Sequence, residues 1–432
     1  MRTQFSIAQL QDADTREVEQ ILRKCVHCGF CNATCPTYLL KGDELDGPRG
    51  RIYLLKDMLE KQSKPGKCVV KHLDRCLSCL SCMSTCPSGV DYMHLIDHGR
   101  AYIEKHHSRS IGDKVLRQLL ACILPSPARF RYLLLVGKLF TPFANFLPAI
   151  MKAGIRLAQQ SNVDTGQHKF KTTYKCKGEC RGRVGLLPGC AQQVLANEIN
   201  MASIRLLKRF GFDVQVLADT DCCGAIEHHL GKTGQAIKRI SANLRQWSVV
   251  LPELDALISN ASGCGTMMKD YDHLLKDNND LTAVANTASN KTMDICEFLA
   301  QHVLNTKHRK FANQYTVTYQ NPCSMQHGQK ISQQPLQLLQ DFGFKTTPCP
   351  EAHLCCGSAG TYNLLQSEMA IPLGQKKATS IESTKPDLVA SGNLGCILQL
   401  RQYSELPIIH TVQLLDWASG GPMPAEIENI NQ

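Results

Sequence analysis

Two runs of cysteine near the N-terminus restrict this chain more than any other feature. Cys25, Cys28, Cys31 and Cys35, then Cys76, Cys79, Cys82 and Cys86, are each spaced C-x2-C-x2-C-x3-C, and proline follows each run at Pro36 and Pro87. Thiols three residues apart let a tight loop wrap three corners of an iron–sulfide cube, while the fourth, at the start of a helix, points away. Proline at that start fixes φ and removes an amide that would lack a partner. Structural zinc favours separated C-x2-C pairs and disulfide frameworks belong to oxidising compartments, so neither suits two identical four-membered runs.

In the two-cluster ferredoxin arrangement that this spacing defines, the fourth thiolate of each run serves the other cluster. The expected sets are Cys25, Cys28, Cys31 and Cys86 for one 4Fe-4S cluster and Cys76, Cys79, Cys82 and Cys35 for the other. A crossed pair holds the clusters close together, which suits an electron relay better than a catalyst. Between the runs, an acidic, turn-rich stretch leads to a helical stripe from Ile52 to Leu59, expected to pack on the clusters. Arg49 and Arg51 are candidates for hydrogen bonds to cluster sulfur or for solvated salt bridges.

The 432 residues suffice for two or three domains, and the polar N-terminus has no apolar leader, so the 22 cysteines are expected in the reducing cytoplasm. The formal charge of +10 falls to about +6 if two clusters are held by eight thiolates, and nucleic acid is not expected as a partner. The most apolar region, 115–158, is interrupted by Pro125, Pro127, Arg129, Arg131, Lys138, Pro142 and Pro148. A spanning helix needs about 20 consecutive apolar residues. The region reads as two or three short amphipathic helices, packed on a partner or neighbouring domain, or lying on an anionic membrane surface.

The second half is duplicated. The segment beginning at Leu206 aligns with that beginning at Leu338, Cys190 with Cys323, Cys222-Cys223-Gly224 with Cys355-Cys356-Gly357, and Cys264 with Cys396. Each copy alternates strand and helix, which implies a mostly parallel sheet, and its cysteines follow expected strands, where ligands of open α/β sheets gather. Each copy thus brings four thiols to one rim: Cys190, Cys222, Cys223 and Cys264, and Cys323, Cys355, Cys356 and Cys396. Buried thiols, zinc and a further iron–sulfur cluster all remain open for them. His228 and His229 face Thr361 and Tyr362 across the duplication, which speaks against a shared ligand role, and His327 is expected to be a surface or core histidine. Cys176 and Cys180 form a C-x3-C read as linker thiols, with metal binding as the minority view.

The expected fold is α+β: a mainly helical two-cluster domain over 1–105, an amphipathic connector and basic linker over 106–183, and α/β cysteine-rich repeats over 184–305 and 313–420. No G-x-G-x-x-G fingerprint follows a strand, so flavin or nicotinamide binding is not expected here.

The fragments "CVHCGFCNATCPTY", "GDELDGPRGRIYLLK", "DRCLSC", "TCPSGV", "PGCAQ", "CCGA", "ASGCG" and "HLCCGSAGTYNL" resemble, in order and over nearly the whole chain, the iron-sulfur subunits of bacterial glycolate oxidase. The Cys-Cys-Gly repeats alone are similar to those of heterodisulfide reductase, the anaerobic glycerol-3-phosphate dehydrogenase iron-sulfur subunit and lactate-utilisation proteins. The resemblance implies an electron-transfer subunit that does not oxidise glycolate alone. It implies flavin-containing partner subunits that carry FAD and produce glyoxylate, quinone as acceptor, and a cytoplasmic location with optional peripheral attachment to the inner membrane. Heterodisulfide-reductase-type domains end in C-x2-C; Ala261 and Asn393 stand at its first positions here, leaving four thiols per copy. A four-thiolate site and a metal-free fold both stay open, as does a disulfide-reducing role.

Overall fold

The computed structural model describes residues 1–139, 170–218, 220, 222–302 and 310–428. Helix α1 (Ala13–Lys24) starts where the Asp12 side chain accepts from the Thr15 amide, and buries Val18, Ile21 and Leu22 at helical spacing. It ends at Cys25, so the first cysteine run leaves directly from a packed helix. Next come α2 (Pro36–Lys41), α3 (Pro48–Glu60), α4 (Lys67–Asp74), α5 (Ser81–Thr85) and α6 (Tyr92–His106). Leu22, Leu55, Leu73, Leu95, Ile96 and Ile103 form their common core, alongside Cys25, Cys76 and Cys82.

The two fourth cysteines differ. Cys35 is the N-cap of α2, with Pro36 opening the helix as its sequence requires. Cys86 instead closes α5, and Pro87 begins a turn through Gly89 (φ +60°) whose amide donates to the Cys86 carbonyl at 3.2 Å. The expectation of a helix start there is corrected: the chain reverses first, and α6 begins only after Asp91 caps it.

Helices α7 (Ile111–Ile123) and α8 (Pro127–Leu139) meet at 116°. They account for two of the short helices expected; residues 140–169 of that apolar region lie outside the described residues.

The first repeat contains β1 (Thr173–Tyr174), β2 (Gly182–Leu187), β3 (Phe212–Val216), β4 (Ala256–Ser259) and β5 (Thr292–Asp294) in the order β1-β3-β2-β4-β5. The second contains β6 (Thr316–Gln320), β7 (Lys345–Pro348), β8 (Leu388–Ser391) and β9 (Ile408–His410) in the order β7-β6-β8-β9. Apart from the antiparallel edge strand β1, all pairs are parallel and the orders coincide. The alignment breaks after the last cysteine, because Tyr271–Leu274 and Thr282–Lys291 add two helices to the first copy before β5.

The two sheets share one core. Helix Asn197–Arg209 of the first repeat packs on helix Thr411–Ala418 of the second, and Ile295–His302 packs on Gln334–Asp341. Each copy thus places the long helix after its first parallel strand, β2 or β6, against the helix that follows the last strand of the other. Arg205 and Arg209 seal the first contact on buried Asp416, at 2.6 and 3.0 Å.

Candidate metal centres

The two cysteine runs fold as matching loops. Around the second thiol of each, both neighbours are left-handed: His27 (φ 56°) and Gly29 (83°) flank Cys28, and Ser78 (49°) and Leu80 (62°) flank Cys79. This repeated departure from ordinary backbone space turns three thiols inward. Thr34 and Thr85, the residues just before the fourth cysteines, join by a 3.0 Å hydroxyl hydrogen bond, so the runs cross where those thiols diverge.

The crossing brings Cys86 to the first loop: Cys25, Cys28, Cys31 and Cys86 line one cavity with Ile52, Val90 and Tyr92. Burial, then Cys25, Cys28, Cys35 and Cys86, push the Cys31 thiol up to about 11. In the second loop, burial and the neighbouring thiols Cys79, Cys76 and Cys35 raise Cys82. Thiols so crowded favour a cationic core that neutralises them, and the donor chemistry of each set of four fits a 4Fe-4S cluster.

Arg51 is 1% exposed, which removes the solvated salt bridge from consideration. Its Nε donates to the His72 carbonyl at 2.7 Å, Nη2 to Thr37 Oγ1 at 3.0 Å, and Nη1 approaches Cys35 Sγ at 3.8 Å. Burial opposes its charge, but Cys76, Tyr92, Cys35 and Asp46 together hold the guanidinium above its ordinary value. Asp46, fully buried, also accepts from Arg75 at 2.8 Å and pairs with His72 at 2.8 Å. Arg49, half exposed, pairs with Glu44 instead.

The rims are equally ordered. Cys190 Sγ lies 3.3 Å from Cys222 Sγ, and sulfur contacts continue through Cys223 to Cys264. In the second copy they run from Cys323 through Cys355 and Cys356 to Cys396. Hydrogen bonds from neighbouring thiols hold Cys222 in one rim, and Cys356 in the other, well below the ordinary thiol value. Both doublets turn on a left-handed glycine, Gly224 (φ +90°) and Gly357 (φ +85°), which lets adjacent cysteines serve one rim. At the position of an absent fifth thiol, Asn393 Nδ2 donates to Cys396 Sγ at 3.4 Å.

Both rims open on one cavity of about 860 Å³ between the repeats, and Cys76 and Cys79 also line it. After burial itself, Cys323 is the leading influence on the Cys79 thiol. The second loop is clamped there: Ser84 Oγ pairs with His327 Nδ1 at 2.9 Å, and Tyr362 Oη donates to the Arg75 carbonyl at 2.9 Å. His327 sits in a π-helical turn, Ser324–Gly328, and burial lowers it, so it is a neutral core histidine. His228 pairs with Asp97 of α6 at 3.2 Å and is structural too.

Sequence reasoning missed Cys349 and Lys377. Lys377, 2% exposed, donates to the Glu351 carbonyl at 2.8 Å and lies 3.9 Å from Cys349 Sγ, behind the second rim. The duplication gave no signal for this pair, because Val216 stands where the first copy would need the cysteine.

A family model for a 4Fe-4S dicluster domain matches residues 21–90, and one for a cysteine-rich domain matches 184–269 and again 317–401. The fold and its thiol sets thus define an iron–sulfur protein with a two-cluster domain followed by paired cysteine-rich domains. The chain is 37% identical to the glycolate oxidase iron-sulfur subunit of Escherichia coli (strain K12), over 97% of this chain and 99% of that one. It is 29% identical to a probable glycolate oxidase iron-sulfur subunit of Bacillus subtilis (strain 168), over 93% of each. It belongs to the family of glycolate oxidase iron-sulfur subunits. A hypothetical protein of known crystal structure from Helicobacter pylori shares the fold, with a TM-score of 0.57 and 11% identity over 96% of this chain and 74% of that one.

Proposed function

We propose that this chain is the electron-carrying subunit of a flavin-dependent glycolate oxidase, accepting electrons from partner subunits that convert glycolate to glyoxylate and delivering them toward a membrane quinone. The observation that carries this reading is the crossing at Thr34 and Thr85, which supports two four-thiol sets side by side, with Cys76 and Cys79 of the second lining the inter-repeat cavity. Cys25, Cys28, Cys31 and Cys86 hold one 4Fe-4S cluster, and Cys76, Cys79, Cys82 and Cys35 the other. When bound, each cluster takes and releases a single electron, which links a two-electron oxidation to a distant acceptor. The chain's own residues supply the setting: Arg51 sets a buried positive charge beside Cys35, Tyr92 Oη donates toward Cys76 Sγ at 3.8 Å, and Leu77 helps close the second loop against Cys323 and Cys355.

The outer faces of α7 and α8 support peripheral attachment to an anionic bilayer. Ile111, Val115 and Leu119 recur every fourth residue and are at least half exposed, as is Tyr132 on α8, beside exposed Leu133 and Leu139. Lys114, Arg129 and Lys138 are exposed among them. No single helix among the described residues is long and apolar enough to cross a membrane. Leu119→Asp with Leu133→Asp should abolish co-flotation with phosphatidylglycerol vesicles; retained flotation counts against this attachment.

The deciding experiment expresses the chain with and without flavin partners, counts iron and records reduced-state EPR. About eight irons from the chain alone, reduced by glycolate only in the full complex, are the expected results. Clusters that stay oxidised in the full complex would remove glycolate as the donor. A second reading, disulfide reduction at the rims, draws on the thiol-lined cavity and requires activity without flavin partners.

A further inference from the structure

Cys176 and Cys180 belong to neither cluster set and neither rim, and the second repeat carries Arg309 and Asn313 at the matching positions. They are less loosely placed than linker thiols. The segment leaves edge strand β1, and Gly178, at φ +83°, turns it back on itself. Asp213 of β3 lies beneath: its Oδ1 accepts from the Cys176 amide at 2.9 Å and its Oδ2 from Lys175 Nζ at 2.8 Å. The Asp213 side chain is only 9% exposed. One ligand atom from each of Cys176, Cys180 and Asp213 lies within 4.8 Å of the others.

We propose that Cys176, Cys180 and Asp213 form a zinc site, two thiolates and one carboxylate with a fourth position open to water, which pins the β1 segment to β3. Two tetrahedral sulfur ligands at about 2.3 Å and a carboxylate oxygen at about 2.0–2.2 Å require only a small contraction of the observed triad. The hard carboxylate beside two soft sulfurs favours zinc over copper(I), which prefers sulfur alone. Loss of hydration, the Cys180 thiol and the Asp213 carboxylate push the Cys176 thiol up to about 11. A dication between these groups turns their mutual repulsion into attraction and displaces the thiol protons, so affinity rises with pH. Each oxygen of Asp213 now accepts one hydrogen bond and keeps a lone pair for the metal.

The site stands apart from the clusters, so its test does not depend on the electron-transfer reading. Full-length chain, purified anaerobically with its iron, is dialysed against buffered zinc in parallel with Cys176→Ser/Cys180→Ser and Asp213→Asn. The intact chain should hold about one zinc more than the double variant at equal iron, with an X-ray absorption shell of two sulfurs and two lighter atoms. Asp213→Asn should weaken zinc by more than about tenfold. Equal zinc in the intact chain and the double variant, a shell of three or four sulfurs, unchanged affinity in Asp213→Asn, or a Cys176–Cys180 disulfide in the anaerobic protein would each overturn the proposal.

Discussion

Replacing Gly357 with alanine, with Gly224→Ala as its matched partner, separates backbone strain from steric overlap at one duplicated turn. Both glycines are left-handed, and an L-residue there costs about 1–2 kcal/mol. At Gly224 that is nearly the whole effect, because the added Cβ is tight only against Ile240 Cγ1 and Cδ1, at 3.1 and 3.2 Å, a side chain that can turn aside, while the Ala236 carbonyl oxygen at 3.5 Å is in ordinary contact. At Gly357 the Cβ would lie 2.6 Å from the Ala370 carbonyl oxygen and 3.1 Å from its Cα. These are backbone atoms of helix Ser367–Glu382, so the helix itself must move, at a further cost of about 1–3 kcal/mol. Gly357→Ala should therefore destabilise by about 2–5 kcal/mol and Gly224→Ala by about 1–2. For the pair of repeats, each kcal/mol is about 2–4 °C in Tm. Urea midpoints of the anaerobic protein, followed through its two tryptophans, Trp247 and Trp417, resolve that difference. Equal losses in the two variants, or a greater loss at Gly224, would refute the argument from overlap.

Three further outcomes follow from the geometry. His94 joins α6 to the first repeat: burial opposes its charge, but Asp270 and Asp91, at 2.9 and 2.6 Å from its two ring nitrogens, raise it to about 10. Its folded value exceeds the unfolded value of about 6.5, so its stabilisation is complete below about pH 6.5 and is lost as pH rises toward 10. The gap in urea midpoint between the native chain and His94→Asn should shrink over that window, and a constant gap would count against the ion pairs. Cys86→Ser should remove the cluster of the first loop, and Cys35→Ser that of the second, each lowering iron from about eight to about four per chain; EPR showing the reverse assignment would contradict the crossed sets. Arg51→Lys keeps a positive charge but loses the fork that reaches the His72 carbonyl, Thr37 and Cys35 together. It should destabilise the chain and broaden the EPR signal of the second cluster; a spectrum and midpoint like those of the native chain would show that the fork is dispensable.

The local chemistry was readable from the sequence where spacing alone determines it. The cysteine intervals specify two loops, Pro36 marks a helix start, and alternating strands and helices specify a mostly parallel sheet in each copy. Pro87 misled because the same residue opens helices and turns, and only the following Gly89 decides between them. Arg51 was ambiguous because charge in a sequence carries no burial; its partners come from α4 and from the turn before α3. Long-range placement was out of reach: nothing in either copy states that the two rims face one cavity, or that Cys323 lies beside Cys79. Asp213 was equally hidden, since strand β2 and helix Asn197–Arg209 separate it from Cys176 along the chain and the two meet only through sheet pairing.

The exchange of helices between the repeats bears on how such a duplication can diverge. Ordinarily a second copy is released from constraint and drifts while the first retains its task. Here Asn197–Arg209 rests on Thr411–Ala418, and Ile295–His302 on Gln334–Asp341, so each half supplies part of the other's foundation. A substitution in one copy is felt by its twin, and neither can decay into a passive spacer without unseating the other. Differences such as Lys377 and Cys349, which meet each other behind one rim alone, lie within a single copy and outside the helices that the two halves share.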